Sequence, residues 1–239
     1  MGLETGTGIG DLVPTNPLST DAVSAGDDHI RLIKTVMQSI TFLKSIQTFT
    51  AFSSTWTRPT NVRKILIYCL GGGGGGTAGT TGGFAGGGGA SGATAIKWLD
   101  VTLIPSAQVM IGTGGAGGTG SGGAGSDGLS TTFTTGGGSV FHCVALQGRA
   151  AAGVYGGTPH PAASSTGDIV FAGGYGSAGE HYSPAGGFGG TGGGSGGMTD
   201  NAALPNSGGG GGGGFSQASA FGPGGAGGTG YCIVFEFGW

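Results

Sequence analysis

The sequence predicts a mainly β protein: a glycine-rich sandwich or jelly-roll-like domain over residues 62–239, preceded by an extended segment and one helix. Three observations carry this. First, 59 of the 64 glycines lie after residue 70, in runs too dense for a core of side chains. Glycine loses more backbone freedom on folding than any other residue and buries no side chain, so such a chain either stays disordered or packs backbone against backbone. Second, two strand-like segments, residues 62–70 and 231–237, bracket the glycine-rich region and argue for packing. Third, short strand-like segments alternate inside it with long glycine excursions, the pattern of a sandwich.

Taken in order, residues 1–26 read as extended, with Gly6, Gly8, Gly10, Pro14 and Pro17 among small polar residues. Residues 27–50 form the next unit, with a helix expected over 27–46. Ser24 or Asp27 can cap it, and Asp27 and Asp28 suit the positive end of its dipole. Ile30, Ile33, Met37 and Ile40 are spaced 3, 4, 3, and Ile33, Val36, Ile40 and Leu43 repeat that spacing one face over, so the apolar stripe is wide. Self-association through the stripe would cover it, and β-branched residues at both seam positions favour a homotrimer. The alternative is docking onto the β-body of the same chain. Residues 51–61 read as a connector ending in Trp56-Thr57-Arg58-Pro59.

Within the β-body, strands are expected at 62–70, 95–104, 107–112, 129–135, 139–146, 168–172 and 231–237. The first and last are expected to pair and close the domain. Their apolar alternates are Ile65, Ile67 and Cys69 on one, and Tyr231, Ile233, Phe235 and Phe237 on the other. The glycine excursions have a period of three: Thr113, Ala116 and Thr119, and again Pro223, Ala226, Thr229 and Cys232. Three residues per turn is the repeat of a polyproline-II helix, whose backbone must find its hydrogen bonds sideways. Collagen is excluded because the triplet is not sustained and proline is scarce. Phe84, Phe188, Phe215 and Phe221 between the glycines argue against a flexible linker.

Charged residues are 8 % of the chain and the net charge is −3; after Lys64 the only Lys or Arg residues are Lys97 and Arg149. No cluster exists to displace counterions, so no nucleic-acid partner is expected. Cys69, Cys143 and Cys232 each sit in an apolar strand-like run and read as buried free thiols, with a Cys69–Cys232 bridge as the alternative. No signal peptide and no run of ~20 apolar residues is visible, so the chain is expected to be cytoplasmic when made and not inserted in a membrane.

Motifs of catalysis do not assemble. Gly112 to Gly117 matches a dinucleotide fingerprint, but no amphipathic helix follows to meet a pyrophosphate. Residues 122–130 fit one copy of a calcium β-roll repeat, which works only when stacked. His142 reads as a strand residue with a satisfied ring. No zinc spacing, triad or carboxylate pair can be proposed, so neither an enzyme nor a cofactor is expected. The positive feature is Tyr155, His160, Tyr175, His181, Tyr182 and Phe188, set in small-residue loops. Tyr and His on stiff loops have the composition of a recognition surface.

Two stretches resemble tail-fibre proteins of tailed bacteriophages. Asp11-Leu12-Val13-Pro14-Thr15-Asn16-Pro17-Leu18-Ser19-Thr20-Asp21, followed by Gly26-Asp27-Asp28-His29-Ile30-Arg31-Leu32-Ile33-Lys34, is similar to a segment near the start of phage fibres and tailspikes. Trp56-Thr57-Arg58-Pro59, residues 62–70, the polyglycine and the closing Gly230-Tyr231-Cys232-Ile233-Val234-Phe235-Glu236-Phe237 resemble the glycine-rich domain at fibre tips. The resemblance implies a homotrimer in the virion tail, assembled in the host cytoplasm. It would be attached to a tail or baseplate protein through residues 1–26 and touch a bacterial surface receptor with its tip. A purely structural tail component is the nearest rival. A glycine-rich ice-binding protein is the rival from another class, because arrays of Thr-bearing polyproline-II helices could order water.

Overall fold

The computed structural model describes residues 31, 33, 34, 42–180 and 201–238. Nine strands are present among them: β1 (Phe42–Phe49), β2 (Ser53–Thr57), β3 (Val62–Leu70), β4 (Thr94–Asp100), β5 (Ser106–Met110), β6 (Thr131–Thr135), β7 (Val140–Ala145), β8 (Ile169–Phe171) and β9 (Tyr231–Gly238). They form two antiparallel sheets, a five-stranded one in the order β1-β9-β3-β4-β8 and a four-stranded one in the order β2-β5-β6-β7. The arrangement is that of a β-sandwich. Its core lies between the sheets, where Ile65, Ile67, Ala95 and Val234 of the first meet Trp56, Val109, Phe133 and Cys143 of the second. The Trp56 and Phe133 rings lie 5.8 Å apart at a tilt, the geometry aromatic pairs prefer.

The expected pairing of the first and last strands of the β-body is present, with Ile65 opposite Glu236, Ile67 opposite Val234 and Cys69 opposite Cys232. This register turns the alternates of β9 outward. Cys232, Val234 and Glu236 face the core, while Tyr231, Ile233, Phe235 and Phe237 lie on the outer face and are half-buried.

Two sequence expectations are corrected. Residues 42–49 were expected in the helix unit, but they form β1 at the sheet edge, paired with β9 from Phe42↔Gly238 to Phe49↔Cys232. Ser53–Thr57 lies in the expected connector and forms β2, paired with β5. The spacing of Leu43 and Ile46 continues the helical stripe, but β9 has a row of backbone donors and acceptors that only a neighbouring strand satisfies, and tertiary pairing overrides local periodicity. Of the expected trimer contacts, Leu43 is therefore a strand residue. Ile33 has helical backbone and is exposed. Ile30, Val36, Met37 and Ile40 lie outside the described residues.

The glycine excursions leave the sandwich together and form a lattice around residues 71–79. The N–H donors of that segment change neighbour with a period of three. Gly71, Gly74 and Thr77 donate to Ala93, Ala90 and Gly87. Gly72, Gly75 and Ala78 donate to Leu129, Ser126 and Gly123. Gly73, Gly76 and Gly79 donate to Gly228, Gly225 and Gly222. Three other segments run parallel to the first and donate back to its carbonyls: Gly115 and Gly118 to Gly73 and Gly76, Gly148 and Ala151 to Gly72 and Gly75, and Gly211 and Gly214 to Gly74 and Thr77. One central segment is thus ringed by six others. The three-residue turn is that of polyproline II, and each backbone N–H of residues 71–79 is satisfied sideways, as are the carbonyls of Gly72 to Thr77. Residues 85–93 repeat the scheme, donating to segments 208–214, 146–153 and 174–180 in turn.

The period seen in sequence has a direct structural meaning. Thr113, Ala116 and Thr119 are exposed, while Gly112, Gly115 and Gly118 are buried against the lattice.

Cys69, Cys143 and Cys232 are free and buried, and the Cys69 and Cys232 sulfurs stand 3.6 Å apart. The alternative of a bridge is not realised. The Cys69 contact and burial push the Cys143 thiol up. For Cys69, a bond with Cys143 acts downward, but the bond with Cys232 and burial outweigh it. Thiolate is the reactive form, so a soluble aromatic disulfide at pH 8 should label almost no thiol in the native protein and all three after denaturation. Rapid native labelling of any of them would contradict the buried placement.

Candidate functional site

The molecule has two poles. Strands β1, β3 and β9 meet at one, where Gly238 is opposite both Phe42 and Val62. The lattice begins at the other end of β3 and extends roughly 25 Å further, at about 3.1 Å per residue over 71–79. Its far end is closed by turns.

Those turns are tied to one another. Thr80 N–H donates to Phe84 O, and the Thr80 hydroxyl accepts from Phe84 N–H at 2.6 Å. Gly82 takes φ +63°, in the left-handed region that favours glycine, and its N–H reaches Gln217 O. The Ser216 hydroxyl donates to Thr80 O at 2.5 Å, and Gln217 N–H closes a turn onto Ala220 O. Thr81 N–H meets the Ser121 hydroxyl at 3.3 Å, joining the 119–122 turn. The 152–155 turn, with Gly153 at φ +60°, stands level with Thr77 and Gly87. This end presents Tyr155, 74 % exposed, and Phe84, 46 % exposed, with Phe215 and Phe221 half-buried beside them.

The residues singled out from sequence are divided by this geometry. Tyr155 sits at the far end. Tyr175 is exposed but lies nearer the sandwich, because its neighbour Gly174 accepts from Ser91 N–H. His160 is also nearer the sandwich, beside Arg149, whose Nε donates to His160 Nε2 at 3.4 Å. Burial and that guanidinium hold the imidazole below its ordinary value, with Asp127 opposing. His181, Tyr182 and Phe188 lie outside the described residues. Asp127, in the β-roll-like stretch, accepts from Ala150 N–H at 2.7 Å and so serves the lattice. His142 has the expected satisfied ring, 2.8 Å from the Thr135 hydroxyl. The residue missed was Phe84 with its turn. The available signal was an aromatic interrupting two glycine runs, which marks where the chain reverses.

Residues 48–235 match the glycine-rich domain family. The chain belongs to that family. The matched span covers the lattice and all of the sandwich except most of β1 and the end of β9, so this glycine-rich domain includes both. No curated protein matches the chain. Among the described residues, no group of three or more His, Cys, Asp or Glu side chains could hold a metal ion. No helix among them is long and apolar enough to cross a membrane.

Proposed function

We propose that this protein is a receptor-binding tail-fibre component of a tailed bacteriophage. It is fixed to the tail or baseplate through residues 1–26 and touches the bacterial surface with the turns at the far end of its glycine lattice. The observation that carries the reading is the polarity of the molecule. The chain enters the sandwich at β1, at the pole opposite the lattice turns, and the two are joined by a lattice whose backbone groups are bonded to neighbouring segments. A stiff spacer lowers the ordering cost when its tip binds. Aromatic side chains on short hydrogen-bonded turns supply flat amphipathic contact area. In the double variant Phe84→Ala/Tyr155→Ala, virion adsorption should fall at least about 100-fold, the loss of two aromatic anchors at ~1–2 kcal/mol or more each, with the melting temperature nearly unchanged. Wild-type adsorption by a folded double variant would overturn the tip assignment. Labelling on the intact particle anywhere but the tail would overturn the whole reading.

The reading includes self-association, for which the outer face of the five-stranded sheet is the surface. Along one row Ile46, Phe235, Leu66 and Trp98 are cross-strand neighbours. Along the next, so are Ile233, Tyr68, Ile96 and Ile169. Leu43, Ile46, Trp98, Ile169 and Phe171 are each at least half exposed. At ~150–250 Å² for a whole aromatic side chain, this face amounts to several hundred Å² of contiguous apolar surface, more than an isolated domain normally leaves in water. It approaches the ~800 Å² per partner of a stable interface. The occupant we assign is a second and third copy of the chain. The full chain should sediment as a trimer and Ile46→Lys/Trp98→Glu as a monomer at micromolar concentration. A monomeric wild type would overturn the assignment.

A further inference from the structure

The geometry points to a saccharide-binding groove on the flank of the molecule, lined by Phe52, Met110, Leu129, Thr132, Phe141 and Gln147, that takes a neutral sugar. It goes beyond the reading above because it uses none of the lattice turns. The groove lies where the outer side of the four-stranded sheet meets the start of the lattice. Phe52 comes from the β1–β2 turn, Met110 from the end of β5, Leu129 from the lattice just before β6, Phe141 from β7, and Gln147 from the chain leaving β7. Its volume is about 370 Å³, within the range of small-ligand sites.

Three features fix the ligand class. The walls are apolar and open to solvent: Phe52 is 54 % exposed, Leu129 50 % and Phe141 56 %. Two phenyl side chains from separate elements line one groove, and aromatic rings suit the C–H surface of a sugar, which has an apolar body and a polar edge. The polar groups are neutral and partly fixed. Gln147 Oε1 accepts the Ser130 hydroxyl at 2.6 Å, which sets the amide and leaves its two N–H donors for a ligand. The Thr132 hydroxyl adds a group that can donate or accept. Finally, no lining side chain is charged. A phosphate or acidic sugar would lose its hydration without gaining a cation, at a cost that a few neutral donors do not repay. A neutral sugar needs only what the groove supplies, apolar contact and exchangeable hydrogen bonds.

The test uses the full chain with its methionine and leucine methyls labelled for NMR. It is titrated with maltotriose, cellotriose, mannotriose and galactotriose, and with sialyllactose as the acidic control. At least one neutral trisaccharide should move the Met110 and Leu129 methyl signals with a Kd in the micromolar to millimolar range. Phe141→Ala and Gln147→Ala should each weaken that binding at least tenfold without lowering the melting temperature, since both side chains reach solvent. Phe141→Trp, which keeps a flat ring, should retain it. The inference is overturned if no neutral trisaccharide moves these signals, if sialyllactose alone does, or if both alanine variants bind like wild type. It is also overturned if the signals move only with protein concentration, which would make a second copy the occupant. Adsorption lost in Phe84→Ala/Tyr155→Ala with sugar binding intact would separate this groove from the tip, so either assignment can fail without the other.

Discussion

Replacing Gly73 by alanine should unfold the glycine lattice. A Cβ there would stand 1.9 Å from Gly209 O and 2.5 Å from Gly209 C, against ordinary contacts of 3.4 Å or more. The obstacle is backbone on a neighbouring segment, so no rotamer change relieves it. Segments 71–79 and 208–214 would have to separate by more than an ångström. The bonds from Gly211 to Gly74 and from Gly214 to Thr77 join those same two segments and would be strained together. In an exposed chain, Gly→Ala stabilises by roughly 0.4–1 kcal/mol through the unfolded state. Here that gain is set against several buried donors and acceptors left unpaired at ~1–3 kcal/mol each, comparable with the entire stability of ~5–15 kcal/mol of a domain. The steric term wins. We expect Gly73→Ala to be insoluble or to melt at least about 15 °C lower. Ala116→Ser, on the exposed row of the lattice, should change stability by less than about 0.5 kcal/mol. Thermal unfolding followed by circular dichroism measures both, and a Gly73→Ala protein with the wild-type midpoint would refute close packing around this segment.

That contrast also separates what the residue pattern dictates from what only the fold decides. The period of three was legible in the outer segment 112–119 because its side chains, Thr113, Ala116 and Thr119, fall on the exposed row, whereas the buried segments also carry small side chains such as Ala78, Ala90 and Ser91. Which segment bonds to which was not legible, since glycine runs are chemically alike and their order is set by turns such as Thr80–Phe84. The strands β3 and β9 and their pairing were legible from their apolar alternation. The facing of β9 was not, because the rule that places the apolar alternates inside fails where both faces of a sheet are apolar. Strand β1 was hidden for a related reason. Its inward residues, Ser45 and Gln47, are polar, and they make sense only beside a buried carboxylate that the alternation of β9 would have placed in water. The tip shares this limit. Tyr155 and Phe84 could be noticed as aromatics among glycines, but their meeting at one end depends on segment lengths that composition does not reveal.

The carboxylate is Glu236, fully buried, and its replacement by alanine should be the second most damaging change. Three neutral donors converge on it. Trp56 Nε1 reaches Oε1 at 2.6 Å, Gln47 Nε2 reaches Oε1 at 2.7 Å, and the Ser45 hydroxyl donates to Oε2. A hydrogen bond contributes ~0.5–1.5 kcal/mol net, and a donor stranded in the core costs ~1–3 kcal/mol. Trp56 is itself fully buried, so its N–H would find no water in exchange. The donors come from β1 and β2, in different sheets, while the acceptor is on β9; the side chain therefore clamps the edge strand and the facing sheet to one point. In the proposed fibre, β1 is the strand through which the attachment segment enters, so the clamp lies on the path from tail to tip. We expect Glu236→Ala to lose on the order of 4 kcal/mol in denaturant unfolding, through stranded donors and a cavity together. Glu236→Gln should lose less, because one carbonyl still accepts while the new amide faces donors. Trp56→Phe should lose less again, since it removes a donor and keeps a ring in the core. The decisive measurement is the Trp56→Phe/Glu236→Ala cycle: once the indole N–H is gone, part of the alanine penalty should disappear, giving a coupling of ~1 kcal/mol or more. Strictly additive losses would mean that the carboxylate acts by filling space, and that the clamp does not exist.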